Sequence, residues 1–208
     1  ANTTGSYNSA YGRSAMENNT TASNNTAVGY QALYGSSGTL TGGSNTAIGY
    51  SSLYLNTTGN RNTGIGYCSL YGNLIGSNNT AVGYEALLNN TGGNNTADGM
   101  YALHANTSGE NNVASGYAAL YVNTTGYYNT SYGAFSLYAN TTGSYNTALG
   151  YESLDTLNIT ANDYSGNNTA VGHHAGGGIV TGTNNTIIGA NLTGLASTLS
   201  DTVILADG

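Results

Sequence analysis

The stretch Asn25-Thr26-Ala27-Val28-Gly29-Tyr30 decides the fold, because near-copies of it return along the whole chain. The segment from Asn45 to Tyr50 reads Asn-Thr-Ala-Ile-Gly-Tyr, and the segment from Asn146 to Tyr151 reads Asn-Thr-Ala-Leu-Gly-Tyr. The glycine of each copy, called the main glycine below, stands at Gly12, Gly29, Gly49, Gly66, Gly83, Gly99, Gly116, Gly133, Gly150, Gly172 and Gly189. Seven of the ten intervals between these glycines are 17 residues, and the others are 20, 16 and 22. A fixed short period predicts a repeat array, so we expect residues 1–208 to form one repeat domain.

The composition excludes some partners. Charged residues make up 5% of the chain, against about 25% in ordinary globular domains. The two basic residues, Arg13 and Arg61, cannot form the cationic face that nucleic acid requires. No apolar run approaches the roughly 20 residues of a membrane-spanning helix. The single cysteine, Cys68, cannot form an intrachain disulfide, and we expect no special role for it.

Positions within a unit are given below as offsets from the main glycine, so that Tyr30 lies at +1 of Gly29. Position +4 is leucine in eight successive units: Leu33, Leu53, Leu70, Leu87, Leu103, Leu120, Leu137 and Leu154. Position −1 is mostly Val, Ile or Leu, and a second glycine follows at +10 in most units: Gly59, Gly76, Gly93, Gly109, Gly126, Gly143 and Gly182. Val, Ile, Thr and Tyr favour strands, whereas Asn and Gly favour turns. The pattern therefore predicts two short strands and two tight turns per unit, each unit being one coil of a parallel β-solenoid with about twelve coils.

Stacking of the coils predicts columns of like residues. We expect the Leu and the Val/Ile columns to form a thin apolar core, which no single coil can bury without its neighbours. The asparagine at −4, as in Asn25 and Asn45, should hydrogen-bond up and down the stack, as stacked amides do in other strand assemblies. The long intervals Gly29–Gly49 and Gly150–Gly172 predict protruding loops at Gly35 to Gly43 and at Asn158 to Gly166, where binding specificity would be sought first.

Tyrosine has the chemistry best suited to binding, because it offers a large ring and a hydroxyl group. One column at +1 comprises Tyr30, Tyr50, Tyr67, Tyr84, Tyr117 and Tyr151, and another at +5 comprises Tyr34, Tyr54, Tyr71, Tyr121 and Tyr138. Either column could be exposed to a receptor or a saccharide. The alternative is that one of them is stacked inside a trimer or against the next chain.

Catalytic and metal-binding patterns are weak, so we expect no enzyme activity, no metal site and no cofactor. His173 and His174 are adjacent, so their side chains should diverge if they lie on a strand. Asp98 stands where other units have Val or Ile, and could be buried, a weak ion site or simply exposed. Asn-x-Thr sequons at Asn56, Asn123 and Asn140 arise from the repeat itself; if glycosylated, they would place sugars along the turns.

The repeated phrase resembles the head-domain repeats of trimeric autotransporter adhesins of the YadA-like type, over essentially the whole chain. It is also similar to repeat shafts of some bacteriophage tail fibres, in which such units lead into a phrase like Asp201 to Gly208. The adhesin resemblance implies a left-handed parallel β-roll, three chains wound into a fibre, and adhesion at a cell or virion surface. The unit of 17 residues is longer than that typical of the adhesin heads.

A further resemblance is to plant ice-binding β-rolls that repeat Asn-Asn-Thr-Val-x-x-Gly. It would assign water ordering to the threonine column at −3, which comprises Thr26, Thr46, Thr63, Thr80, Thr96, Thr130, Thr147, Thr169 and Thr186. The leading interpretation is nevertheless a non-enzymatic structural and adhesive segment of an extracellular fibre, homotrimeric and multivalent, whose partners are itself and a surface glycan or protein receptor. A subunit of an end-to-end extracellular filament is the alternative within the same class, and an ice-binding β-roll is the alternative of another class.

Overall fold

The structure is a computed structural model that describes residues 4–35, 40–159 and 166–206. It contains twelve three-residue strands: β1 (Ser9–Tyr11), β2 (Thr26–Val28), β3 (Thr46–Ile48), β4 (Thr63–Ile65), β5 (Thr80–Val82), β6 (Thr96–Asp98), β7 (Val113–Ser115), β8 (Thr130–Tyr132), β9 (Thr147–Leu149), β10 (Thr169–Val171), β11 (Thr186–Ile188) and β12 (Val203–Leu205). They pair in chain order in one parallel sheet, without a helix in the described ranges. The predicted fold class is confirmed: the chain is an all-β parallel β-solenoid, with about eleven turns of about 17 residues. Its left-handedness stays a prediction.

Each coil contributes one strand, so the prediction of two strands per unit was wrong. Strands pair in a register that aligns like residues, as in Thr26↔Thr46 and Val28↔Ile48. The leucine segment is a turn, because Leu53 has a φ of 53°, in the left-handed region that a strand residue does not adopt. Backbone bonds between coils persist there: the Leu53 amide donates to the Ser69 carbonyl at 3.0 Å. A left-handed leucine costs roughly 1–2 kcal/mol, a cost that burial of its side chain opposes.

The expected leucine column lies in the core together with the alanines at −2, whereas the expectation that the Val/Ile column at −1 is buried was wrong. All eight leucines at +4 are fully buried, as are the strand alanines Ala27, Ala47, Ala81, Ala97, Ala114, Ala148 and Ala170. The residues at −1 lie on the other side of the strand, where Val28 is 38% exposed and Leu149 is 48% exposed. Successive strand residues alternate between faces. The inner position −2 lies against the small residues at +3, since a Cβ atom at Gly64 would already lie 2.6 Å from Ser52 Oγ.

The main glycines allow consecutive coils to approach closely. Gly66 has a φ of +135°, and a Cβ atom there would lie 2.3 Å from the carbonyl oxygen of Gly83 in the next coil. The second glycines are packed in the same way, with one change from the sequence prediction. In the 16-residue interval it is Gly92, and not Gly93, that lies against Gly76 and Gly109. Compared with a 17-residue coil, the 16-residue coil therefore has one residue fewer immediately before its second glycine.

Buried asparagines at −4 connect each coil to the next by hydrogen bonds. The side-chain oxygen of Asn25 accepts a bond from the Asn45 amide at 2.8 Å, and its Nδ2 donates to the Gly42 carbonyl at 3.1 Å. Asn45 repeats this arrangement, with Nδ2 2.8 Å from the Gly59 carbonyl. Each such residue thus makes two bonds to the following coil, as expected for a stacked amide column.

A second asparagine column, which sequence reasoning missed, lies at +7, where three of its six members begin the phrase Asn-Thr-Thr-Gly. Its members are fully buried: Asn56, Asn73, Asn90, Asn106, Asn123 and Asn140. Asn106 Nδ2 donates to the Gly109 carbonyl of its own coil at 2.9 Å and to Asn90 Oδ1 of the preceding coil at 2.7 Å. Recurrence of asparagine at +7 was the signal available in the sequence.

Candidate functional site: an aromatic face along the solenoid

Four of the six tyrosines at +1, from Tyr30 to Tyr84, form a continuous stack along the axis of the solenoid. Tyr30 and Tyr50 have ring centroids 5.2 Å apart, Tyr50 and Tyr67 are 5.1 Å apart, and Tyr67 and Tyr84 are 4.9 Å apart, with interplanar angles of 15°, 8° and 7°. These distances are close to the strand spacing of about 4.8 Å. One ring per coil at a fixed offset therefore stacks without adjustment of the backbone. The stack ends where Met100 takes the place of the next tyrosine.

The tyrosines at +5 form a second, interrupted column. Tyr34 stacks on Tyr54 at 5.0 Å, and Tyr54 stacks on Tyr71 at 5.1 Å. The column resumes after Leu88, where His104 stacks on Tyr121 at 5.1 Å.

Residues at +2 show that the two columns share one surface. Tyr101, at +2 of Gly99, contacts Tyr84 at 5.5 Å and Tyr117 at 6.2 Å in the first column, and Tyr121 at 6.1 Å in the second. Phe135, at the same offset, contacts both Tyr117 and Tyr138. Positions +1, +2 and +5 together are called the aromatic face below. The structure thus brings together the two tyrosine columns, whose relative placement the repeat spacing left open.

Stacking within the chain limits what this face can bind. The broad faces of most rings are covered by the rings above and below, whereas Tyr50 remains 47% exposed and Tyr117 remains 45% exposed through the rest of their surface. Edge contacts to a partner are therefore available all along the face. Broad stacking of a flat ligand on a ring is available only where a column is interrupted.

The aromatic face also contains two pairs of side chains, each formed by a glutamate and a histidine from adjacent coils. His104 Nε2 lies 3.2 Å from Glu85 Oε2, and His174 Nδ1 lies 2.9 Å from Glu152 Oε2. A hydrogen bond to the Glu85 side chain raises the pKa of Tyr84 above its ordinary value. Tyr84 therefore remains a neutral hydroxyl donor at physiological pH. The face offers rings, hydroxyl groups and carboxylates, with few compensating cations.

Cys68 occupies +2 and is buried. Burial raises the pKa of its thiol, and a hydrogen bond with Tyr67 partly opposes that rise. A thiol of raised pKa is a poor nucleophile at neutral pH, because the thiolate is the reactive form.

The remaining candidates for site chemistry do not come together in one place. The rings of His173 and His174 are 4.3 Å apart and perpendicular. The two residues lie in a turn, so the divergence expected for a strand does not occur. Asp98 is exposed on the outer side of the sheet, where a carboxylate remains hydrated. Among the described residues, no group of three or more His, Cys, Asp or Glu side chains could hold a metal ion.

The outer side of the sheet carries the threonine column. Thr26 and Val28 both point outward, since Ala27 between them is buried. Along the sheet, threonines at −3 and Val or Ile at −1 therefore form two parallel rows. Thr46, Thr63 and Thr80 continue the first row, and Ile48, Ile65 and Val82 the second. This flat surface, called the sheet face below, is separate from the turn that bears +2 and +5.

The predicted loops and sequons have different outcomes. Residues 36–39 and 160–165, the centres of the two predicted loops, lie outside the described residues. The sequon asparagines Asn56, Asn123 and Asn140 are fully buried, and their Nδ2 atoms donate to backbone carbonyls. A sugar on Nδ2 of these residues is incompatible with the folded coil. These turns therefore do not carry the sugars that glycosylation of the sequons would place there.

Comparison with known proteins identifies no relative: no family model, curated protein or solved structure matches the chain. Within the described ranges, no helix has the length and apolar character needed to cross a membrane. The site is therefore interpreted from its own geometry.

Proposed function

We propose that the chain is a non-enzymatic structural and adhesive segment of an extracellular fibre, on a cell or virion surface, which binds a glycan or a protein receptor through the aromatic face. The observation that carries this proposal is the continuous stack of half-exposed tyrosines from Tyr30 to Tyr84. A stack that repeats over four successive coils presents the same weak contact several times. Rigid repetition converts weak contacts into avidity, because the second and later contacts are intramolecular.

Removal of several rings from one stack tests the proposal. Tyr50, Tyr67 and Tyr84 are replaced together by alanine, a residue that the native chain already has at this offset in Ala134. Aromatic contacts contribute about 0.5–1.5 kcal/mol each. The triple variant should therefore bind about tenfold to a thousandfold less tightly. Retention of the labelled chain on glycan arrays and on intact cells measures the change.

The matched control alters the sheet face of the same coils. Thr46, Thr63 and Thr80 are replaced by alanine, and circular dichroism checks that both triple variants remain folded. The threonine variant should bind as the wild type does. Equal binding by all three proteins, or loss of binding only in the threonine variant, would contradict the proposal.

Self-association is part of the same proposal, as a homotrimer or, alternatively, as an end-to-end filament. The exposed Val and Ile row of the sheet face favours lateral contact with further copies, since it places apolar surface in a regular line. Sedimentation equilibrium should show a trimer, whereas electron microscopy of a filament-forming chain would show rods of unlimited length. A stable monomer at high concentration would contradict both forms of assembly.

Ice binding is the second candidate, and it is favoured by the outward orientation of the threonine row. Hydroxyl and methyl groups repeat there at the strand spacing on a surface with one charge, Asp98, among the strands β2 to β11. The same triple variants discriminate the two functions. Ice binding predicts thermal hysteresis that the threonine variant loses and the tyrosine variant keeps; absence of hysteresis in the wild type excludes it.

A further inference from the structure

The second aromatic column is interrupted at Asp155, and a pocket opens there. Tyr121 and Tyr138 stack at 5.4 Å with an interplanar angle of 4°. In the next coil the equivalent position belongs to Asp155, whose carbonyl accepts the Ala139 amide at 3.0 Å. The side of the Tyr138 ring that faces away from Tyr121 therefore meets a short carboxylate and not another ring.

Four side chains line the pocket: Phe135, Tyr138, Glu152 and Asp155, around a volume of about 220 Å³. Phe135 approaches Tyr138 edge-on, with centroids 5.8 Å apart. The two rings thus form two walls at a steep angle, and the two carboxylates complete the lining. This volume is below the range of about 300–1,000 Å³ typical of pockets for drug-sized ligands, so it suits one small group or one side chain of a partner.

The negative charges of Glu152 and Asp155 are not fully balanced by nearby positive charge. Burial raises the pKa of Asp155, and the neighbouring Glu152 carboxylate raises it further. Asp155 Oδ1 is shielded from solvent and has no hydrogen-bond partner among the described residues. Among the described residues, the ion pair recorded for these two carboxylates is that of Glu152 with His174, which lies 2.9 Å away and is charged only when protonated. A cation in the pocket would favour the ionised form of Asp155 and offset the repulsion between the two carboxylates.

We propose that this pocket binds an organic cation of the alkylammonium or guanidinium class, the group that lysine and arginine side chains carry. Phe135 and Tyr138 supply cation–π and stacking contacts, and Glu152 and Asp155 supply charge-assisted hydrogen bonds. A neutral sugar fits less well, because the carboxylates would remain unneutralised. The site is discrete, so it does not depend on the multivalent adhesion proposed above.

Phe135 makes a direct test possible, because it is the only phenylalanine of the chain. Protein with ¹³C-labelled phenylalanine gives one set of aromatic NMR signals, which reports on the pocket alone. N-methylguanidinium is titrated into the full chain into the millimolar range at constant ionic strength, at about pH 8, where histidine is neutral. The Phe135 signals should shift in a saturable manner. N-methylurea, the neutral analogue, and glucose should leave them unchanged.

Carboxylate variants test the assigned contacts. Asp155→Asn and Glu152→Gln should each weaken binding by about tenfold or more, as expected for loss of a hydrogen bond to a charged group. The matched control is Glu85→Gln, which removes a carboxylate at +2 that pairs with a histidine in the next coil but does not line the pocket. It should leave the affinity unchanged.

The outcomes separate the alternatives. No saturable shift with N-methylguanidinium, an equal shift with N-methylurea, or unchanged affinity in Asp155→Asn would each overturn the proposal. A shift with glucose alone would replace it with a saccharide site. A short peptide with one central arginine distinguishes the source: binding at least as tight as that of N-methylguanidinium supports a protein partner, and weaker binding supports a small-molecule cation.

Discussion

Substitution of one main glycine should open the stack between two coils. In Gly66→Ala, the new Cβ atom would lie 2.3 Å from the Gly83 carbonyl oxygen, at a φ of +135°. That backbone region is essentially restricted to glycine and costs about 1–3 kcal/mol for other residues. Displacement of the next coil also strains the bonds from Gly83 N to Ile65 O and from Glu85 N to Tyr67 O, both 2.8 Å. At about 1 kcal/mol each, their loss brings the expected destabilisation to about 3–5 kcal/mol.

Gly194→Ala is the matched control for this prediction. Gly194 also has a positive φ, +69°, but a Cβ atom there meets nothing within 4 Å. The cost of the left-handed conformation, about 1 kcal/mol, is partly offset by the smaller entropy of the unfolded chain. Urea unfolding followed by circular dichroism measures both variants, and hydrogen exchange of the Gly83 and Glu85 amides locates the opening. A loss below about 1 kcal/mol in Gly66→Ala, or losses equal in both variants, would refute the role assigned to coil contact.

Three further predictions concern the core, the pocket and the thiol. Leu87→Ala should cost about 2–5 kcal/mol in urea unfolding, and Val82→Ala less than about 1 kcal/mol; equal losses would contradict the assignment of the core. The pKa of Asp155 is raised in the folded chain, which therefore keeps the carboxyl proton to higher pH than the unfolded chain does. The free energy of unfolding consequently falls as pH rises through that pKa. Asp155→Asn should therefore melt at a higher temperature than the wild type at pH 7, with no difference below about pH 4; a lower melting temperature at pH 7 would contradict this. Cys68 should react with iodoacetamide much more slowly in the folded chain than in urea, and equal rates would show that it is accessible.

The repeat spacing alone was sufficient for the fold class, because Gly, Leu and Asn return at constant offsets and only stacked coils satisfy all three. Gly66 and Leu53 illustrate this: one requires close backbone approach and the other requires burial, and both recur at the coil period. The same spacing could not show that Leu53 adopts a left-handed backbone. Leucine is rare in that region, so local propensity favoured a second strand, and packing of the whole coil overrode it.

The candidate site was only partly accessible to sequence reasoning. The tyrosine columns followed from the repeat, but whether Tyr50 stacks within the chain or between chains depends on how far apart the coils lie. The meeting of the two columns became visible only through Tyr101 and Phe135, which touch both. The pocket at Asp155 likewise required the register of adjacent coils, since it arises from the missing ring beside Tyr138.

The amino-acid sequence determined by itself that the chain is an array of stacked coils and which residues form columns, since a constant period places like residues on top of one another. Only the tertiary structure decided which columns are inside. Alternation along Thr26, Ala27 and Val28 shows that Ala27 faces away from the other two, but not which side is the core. The narrow space between the strand and the small residues at +3 decides that: a Cβ atom at Gly64 would lie 2.6 Å from Ser52 Oγ, so the inner position holds small residues such as Ala27, whereas Val28 stays in contact with solvent.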